Sequence, residues 1–353
     1  MMHLTFQDLI AGIPPLDLDA RQAARLRLDR LTKPPGSLGA LEDLAAQLAA
    51  ITGRVRPTAE YAAVLVAAAD HGVVAEGVSP YPQAVTAQMV LNFLRGGAAI
   101  NALAATVGAR VIVVDAGVAA DLPDHPALRR GAVLRGTGNL RREPAMSRGV
   151  AAEALLAGAR IVFEEAALGL DLLALGEMGI GNTTAAAALT SAFTGAAPEL
   201  TTGRGTGVDE AGLARKRAVV AGALERARPD DADPLGTLAE LGGLEIALLA
   251  GAALAAAAQR IPVLLDGYIA TSAALAAAAL APDVRGYLIA GHRSAEPGHR
   301  IALDHLGLRP LLELDMRLGE GSGAALAIPI VRAAARAIRE MATFEDAGVS
   351  DRV

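Results

Sequence analysis

The chain contains no cysteine and no tryptophan. Without cysteine there can be no disulfide and no thiolate-held metal, and the redox compartment leaves no trace in the sequence. Aromatic residues make up only 3% of the chain, too few for a surface on which successive bases stack. Tyr81, Phe93 and Tyr268 are the rings available near polar segments. There is no basic run, and a net charge of -6 argues against a nucleic-acid surface. Long apolar runs are missing too. The longest uncharged stretches, such as Ile246 to Ala258 and Gly267 to Pro282, fall short of the ~20 residues that a spanning helix needs. The opening MMHLTFQDLI lacks a basic region followed by an apolar core, so it does not read as a signal peptide. The expectation is a soluble, cytoplasmic protein that binds neither nucleic acid nor membrane. No internal repeat interrupts it, and 353 residues suffice for one large α/β domain with an appendage, or for two domains.

Alanine and glycine fill the space left by these absences. The first part reads as helical: Ala20 to Leu31 is a charged amphipathic segment, TKPPGSLG breaks it, and Ser37 is placed to cap the next helix. From residue 61 onward, short apolar runs alternate with Ala-rich helical segments. The runs are Ala63 to Ala69, Val111 to Val114, Leu172 to Leu175, Val263 to Leu265, Tyr287 to Ala290 and Leu311 to Leu314. This alternation predicts an α/β fold, a mostly parallel sheet with helices on both faces. Polar tips follow the runs: ADHG, DAG, GEMGIGN, DG, GHRSAEPGH and RLGEGSG. In a parallel sheet they gather at the carboxyl edge, where such folds bind ligands. A long helix from Gly323 to Met341, with Arg332, Arg336 and Arg339 on one face, closes the chain over the amino-terminal helices.

The turn in LDLLALGEMGIGNTTAAAA, residues 170–188, joins a strand to a helix opening at Asn182, Thr183 and Thr184. Its glycines Gly176, Gly179 and Gly181 let backbone N–H groups approach an anion. No G-x-x-x-x-G-K-[ST] and no G-x-G-x-x-G is present, which disfavours a P-loop or dinucleotide reading. TTGRGTGVDEAGLARK adds Arg204 and Lys216 as anion partners. Glu320, held between glycines, is a carboxylate that desolvation can turn into a general base, although spacing alone favours a solvated or capping glutamate. Glu177 has the same two readings. Asp70 and His71 are adjacent on a strand end and point in different directions, which favours structural roles over a dyad. Asp115 and Asp266 read as caps of the turns that follow them. His292 and His299, seven apart, lack a third ligand at metal spacing. Ser294 has no G-x-S-x-G elbow. No metal and no cofactor are expected.

Taken together, TKPPGSLG, ADHGVVAEGVSPYPQAVTAQM, VDAG, GEMGIGNTT, GRGTGVDEAGLARK, LLDGYIATSAA, GHRSAEPGH and RLGEGSGAALA occur in the order found in the nicotinate-nucleotide:dimethylbenzimidazole phosphoribosyltransferases. The chain resembles that family over nearly its whole length. The resemblance implies a Rossmann-like large domain over residues 59–324 and a small helical domain assembled from residues 1–58 and 325–353, in a homodimer. It implies transfer of phosphoribose from nicotinate mononucleotide to dimethylbenzimidazole, giving α-ribazole phosphate and nicotinate. By motif it makes Glu320 the general base and places Ser79, Gln88 and Leu318 at the benzimidazole. It assigns Glu177, Gly179, Gly181, Asn182, Thr183, Gly205 and Lys216 to the phosphate and ribose, and Ser294 to the nicotinate carboxylate. Tyr268 stands where the family pattern has phenylalanine. A nucleotide hydrolase using the same base, and a non-catalytic nucleotide-binding relative, are the alternatives.

Overall fold

The computed structural model describes residues 5–350, so 1–4 and 351–353 of the expected terminal segments lie outside the described residues. Three helices come first, α1 (Phe6–Ala11), α2 (Leu18–Arg30) and α3 (Ala40–Thr52). The strand β1 (Ala62–Ala69) follows, then α4 (Ala84–Leu94), α5 (Ala99–Val107), β2 (Arg110–Gly117) and the short β3 (Leu128–Arg130). A long helix α6 (Arg148–Ala167) precedes β4 (Leu172–Met178), which leads through the glycine turn into α7 (Asn182–Thr194). Next come α8 (Pro198–Thr201), α9 (Glu210–Ala227), α10 (Pro234–Leu241) and α11 (Leu244–Ala258). The last elements are β5 (Val263–Leu265), α12 (Tyr268–Leu280), β6 (Leu288–Ala290), α13 (Pro297–Leu306), α14 (Ser322–Glu340) and α15 (Phe344–Ala347).

The six strands form one sheet in the order β3-β2-β1-β4-β5-β6, and every pairing is parallel. The order reverses between β1 and β4, so the loops leaving those two strands diverge to opposite faces and open a crevice at the carboxyl edge. Alternation along β1 shows how both faces are covered. Ala63, Leu65, Ala67 and Ala69 enter one core with α6, α7, α11 and α12. Val64, Val66 and Ala68 enter another with α2, α3, α5 and α14, as a two-residue side-chain period requires. In the second layer the chain ends meet: α14 packs on α3 and α5, and Leu31 bridges Thr343. The expected boundary at 324/325 falls inside α14, which runs unbroken past Pro329 from the sheet to the amino-terminal helices. The apolar stretch Ala84–Val107 is long enough by composition to cross a membrane, but it is broken into α4 and α5.

Several expectations are corrected. Leu311 to Leu314 is not a strand: Leu312 makes a single bridge to His292, and Leu311 and Leu312 donate to the carbonyls of Ala290 and Gly291 beside β6. The edge strand β3, only LRR, gave no apolar run to read. Ser37 does not cap α3. That position belongs to Gly39, and Glu42 reaches back to accept the Leu38 N–H at 3.0 Å while pairing with buried Lys33 at 2.8 Å. As expected, α7 opens at Asn182, with Gly181, φ of 93°, as its cap.

Candidate active site

Two loops cross at the reversal point, and glycine is what lets them touch. A Cβ on Gly176 would lie 2.5 Å from Gly321 N and 2.6 Å from the Glu320 carbonyl, so only a bare backbone fits there. The Glu320 N–H donates to the Glu177 carbonyl at 3.1 Å. Gly319, Glu320 and Gly321 have φ of 87°, 63° and 87°. The left-handed conformation costs a non-glycine residue about 1–2 kcal/mol, a strain that recurs where the surroundings fix a functional side chain.

Asp266 fixes this one. Its Oδ2 accepts the Gly321 N–H at 3.1 Å, and its Oδ1 accepts those of Gly323 at 2.7 Å and Ala324 at 3.0 Å. Asp266 therefore caps α14, not the helix that follows it in sequence, and places a carboxylate at that helix's positive end. Asp115 does cap its own turn, accepting from Gly117 and Val118. The Glu320 side chain is buried, and its Oε2 accepts the Ile100 N–H at the start of α5 at 3.2 Å. Burial raises its pKa; the Ile100 hydrogen bond opposes this and the charge of Asp266 adds to it.

Beside this crossing lies a narrow cleft walled by both loops, by Gly205 and Thr206, by Gly267 and Tyr268, and by Ser294. Its free volume is about 90 Å³, room for a few waters, whereas small-molecule sites usually measure about 300–1,000 Å³. Of the residues expected from sequence, Glu177, Gly179, Asn182, Thr183, Gly205, Ser294 and Leu318 line it. Gly181 turns the loop behind them. Lys216 reaches the cleft through Thr183, its Nζ donating to Thr183 Oγ1 at 2.8 Å. Ser79 meets Thr206 at 3.2 Å between hydroxyls. Gln88 is exposed on α4 and is not part of the walls, and neither is the Glu320 carboxylate, although Leu318 and Gly319 before it are. Arg204 is paired with the Glu210 carboxylate and donates to the Val208 carbonyl.

The charges are arranged around Gly205. A Cβ there would lie 2.8 Å from Lys216 Nζ, the Gly205 N–H donates to Glu296 Oε1 at 2.9 Å, and Arg317 donates to the Gly205 carbonyl at 3.2 Å. Burial lowers the Lys216 pKa to about 8 against the pull of Glu296, and Thr183 Oγ1 is the one acceptor its ammonium has among the described residues. Asn182 Nδ2 donates to Glu177 Oε2. Glu177 is pushed up to about 8 by burial first, then by the charges of Glu245 and Asp266. His299 Nδ1 accepts the Ser294 N–H at 2.8 Å and its Nε2 faces Thr271 Oγ1 at 2.9 Å. Burial drives this ring down to about 3, so it is a neutral prop for the Ser294 loop. His292 sits off the helix, its ring centre 6.1 Å from that of His299. Tyr268 is buried, and its hydroxyl donates to the Thr201 carbonyl at 2.8 Å.

Arg317, Glu296 and Glu245 were not picked out as site residues by the sequence reading. Arg317 and Glu296 lay inside motifs already quoted, one and two residues from chosen positions. Glu245 carried one signal, a lone carboxylate opening the apolar run of α11.

A family model described as phosphoribosyltransferase matches residues 13–349. A protein of Chloroflexus aurantiacus named nicotinate-nucleotide–dimethylbenzimidazole phosphoribosyltransferase is 56% identical over 347 residues, covering 98% of this chain and 99% of its own. One of the same name from Thermus thermophilus is 57% identical over 335 residues, covering 95% and 99%. The crystal structure of CobT from Thermus thermophilus superimposes with a TM-score of 0.92 at 56% identity, over 95% of this chain and 100% of that one.

Proposed function

The chain belongs to the nicotinate-nucleotide–dimethylbenzimidazole phosphoribosyltransferase family, and from that premise we propose that Glu320 is the general base of an inverting phosphoribosyl transfer. The donor is nicotinate mononucleotide and the acceptor 5,6-dimethylbenzimidazole. The products are α-ribazole 5′-phosphate and nicotinate.

The chemistry asks little of an acid. Nicotinate is attached as a pyridinium and departs with the bonding electron pair on a neutral ring nitrogen, so nothing need protonate it. The unprotonated nitrogen of the benzimidazole attacks the ribose carbon from the opposite face, which converts the β linkage to α. The positive charge that develops on the acceptor is relieved when its other nitrogen loses a proton to Glu320. A carboxylate with a raised pKa accepts that proton and attracts the charge as it forms, so its effect is largest in the transition state.

The observation that carries this reading is the contact between Glu320 and the cradle: the base candidate is buried, and its backbone is hydrogen-bonded to Glu177 at the head of the Gly179 turn. Asn182, Thr183, Lys216 and Gly205 hold the phosphate and ribose, and Ser294 faces the nicotinate carboxylate. Leu318, 57% exposed beside the base, offers apolar surface that an aromatic acceptor covers, with Ser79 and Gln88 completing its pocket once the cleft opens. Binding energy gathered at the phosphate positions the reacting carbon. Protonated Lys216 holds the phosphate, and with its pKa near 8 nucleotide affinity falls as pH rises through that value. The working unit is a homodimer of this chain, which light scattering tests.

The reaction is tested by incubating the protein with nicotinate mononucleotide and dimethylbenzimidazole and identifying the products by mass and by the anomeric proton signal. The expected result is free nicotinate with the α product in equal amount. Ribose 5-phosphate formed without acceptor marks a hydrolase, and no nicotinate release marks a binding protein.

A further inference from the structure

The Glu320 carboxylate stands at a helix end that the local sequence leaves uncapped. Ala98 occupies the N-cap of α5, with φ of -91° and ψ of 165°, and alanine has no side-chain atom to accept an N–H of the first turn. The N–H of Ile100, the second residue of the helix, is taken instead by Glu320 Oε2 at 3.2 Å, from 220 residues along the chain. It is the one hydrogen bond that this carboxylate accepts among the described residues. The partial positive charge of the helix end favours a carboxylate there. With Oε2 occupied, Oε1 is the atom left to receive a proton.

The corner between α4 and α5 is what fixes the Ile100 N–H. After α4 ends at Leu94, Gly96 turns the chain with φ of 76°. Asn101, the third residue of α5, spans the turn. Its Oδ1 accepts the Ala98 N–H at 3.1 Å, and its Nδ2 donates to the Phe93 carbonyl at 3.1 Å, so one amide ties the end of α4 to the start of α5. Phe93, Ala98 and Ile100 are buried. Asn101 itself does not line the cleft, so any part it has in the reaction passes through the group that its helix end holds.

Resting on the transferase reading, we propose that Asn101 is a positioning residue that acts through Glu320: by locking the α4–α5 corner it holds the Ile100 N–H against Oε2 and keeps Oε1 free for the acceptor's proton. Two effects depend on that bond. A carboxylate that pivots loses its alignment with the acceptor nitrogen. One that loses its donor is also harder to ionise, and among the groups around Glu320 the Ile100 N–H is the one that opposes the effect of burial. The charged groups near Glu320 are Asp266 from the end of β5, Glu177 from β4, and His292, 3.5 Å from Asp266. Asn101 is hydrogen-bonded to none of them, and α5 carries no ionisable side chain of its own.

The test is made on N101A, which removes both bonds of the corner. In the free protein the Glu320 carboxyl is titrated by carbon NMR, its signal identified by its absence from E320Q. The midpoint is expected to rise by about 0.5–1 pH unit in N101A, as loss of a donor to the charged form requires. In turnover, kcat is expected to fall about tenfold through misalignment of the base, with KM for the nucleotide unchanged. The acid limb of kcat moves up with the midpoint, because the base works only when ionised. In the E320Q background N101A is expected to change kcat by less than about twofold, since a residue acting through another then has nothing to act on. An unmoved midpoint, or an equal loss of kcat in the wild-type and E320Q backgrounds, overturns the proposal in favour of a purely structural corner. Should N101A not accumulate as folded protein, A98S carries the test, because a hydroxyl at the N-cap competes with Glu320 for the Ile100 N–H while supporting the helix. The same upward shift and a lower kcat are then expected at undiminished stability, and an unmoved midpoint with normal turnover overturns the proposal. If the wild-type protein forms no α product, the transferase reading fails, and the NMR midpoint still decides whether Asn101 acts on Glu320.

Discussion

The two sides of the sheet edge are built on opposite principles. Beneath the crevice, α6 and α11 meet with almost no side chain between them: a Cβ on Gly158 would lie 1.9 Å from the Leu248 carbonyl, and one on Gly251 would lie 1.9 Å from that of Leu155. Every residue of α11 from Leu244 to Ala257 is buried, and all but Glu245 are apolar or glycine. At the crevice itself, Asp70, His71, Glu177, Asp266, Lys216, His292 and Glu320 are buried as well, but each is a group that water would stabilise. Desolvating such groups costs free energy that hydrogen bonds only partly return. Close-packed apolar surface is what offsets that cost. The alanine and glycine that look like mere composition in the sequence bring the helices near enough to form a stiff base, and the base holds carboxylates where solution would not leave them. One region supplies stability and the other consumes it.

The comparison breaks if changes in the two regions have the same effect. The largest expected separation is at Glu320. Glu320→Gln should lower turnover by about 10²–10⁴-fold, the usual worth of a general base, while the urea midpoint stays within error of wild type; near-normal turnover removes Glu320 from that role. Gly251→Val should do the reverse. Its side chain has no space against the Leu155 backbone, so stability should fall by about 3 kcal/mol with turnover per folded molecule little changed. A stability-neutral Gly251→Val would show that the α6–α11 contact is not the stiff base described.

The remaining predictions sharpen the contrast within the crevice. Lys216→Ala should weaken nucleotide binding by about 10–100-fold, as expected for a charge-assisted hydrogen bond worth about 1.5–3 kcal/mol, and benzimidazole binding much less. Titration of each ligand separates the two, and equal losses would count against a phosphate role. Tyr268→Phe removes only the hydrogen bond to the Thr201 carbonyl. It should cost about 1 kcal/mol of stability and leave turnover nearly intact, which would place Tyr268 with the supporting structure although its ring lines the cleft.

The sequence was legible where local pattern decides structure. The runs that became β1, β2, β4, β5 and β6 were read from their apolar residues, and gathering their polar tips at one edge brought Asp70, Glu177, Asp266 and Glu320 into one neighbourhood. Where structure depends on distant partners, the pattern misled. Leu311 to Leu314 has the composition of a strand, but its segment meets β6 only at that strand's last residue and the one after it, where Ala290 and Gly291 offer two carbonyls. The cap that Asp266 gives α14 joins residues 55 to 58 apart, which no spacing rule encodes. Glu245 was hidden for the same reason, since its meaning comes from His71, 174 residues earlier.

The most direct test of Glu320 as the proton acceptor uses an acceptor with no proton to give. Rates of nicotinate release by wild type and Glu320→Gln are measured in single turnover with dimethylbenzimidazole and with its N-methylated form. If Glu320 removes the proton, the substitution should cost about 10²-fold or more with the first acceptor and at least tenfold less with the second. An equal cost with both would contradict the account.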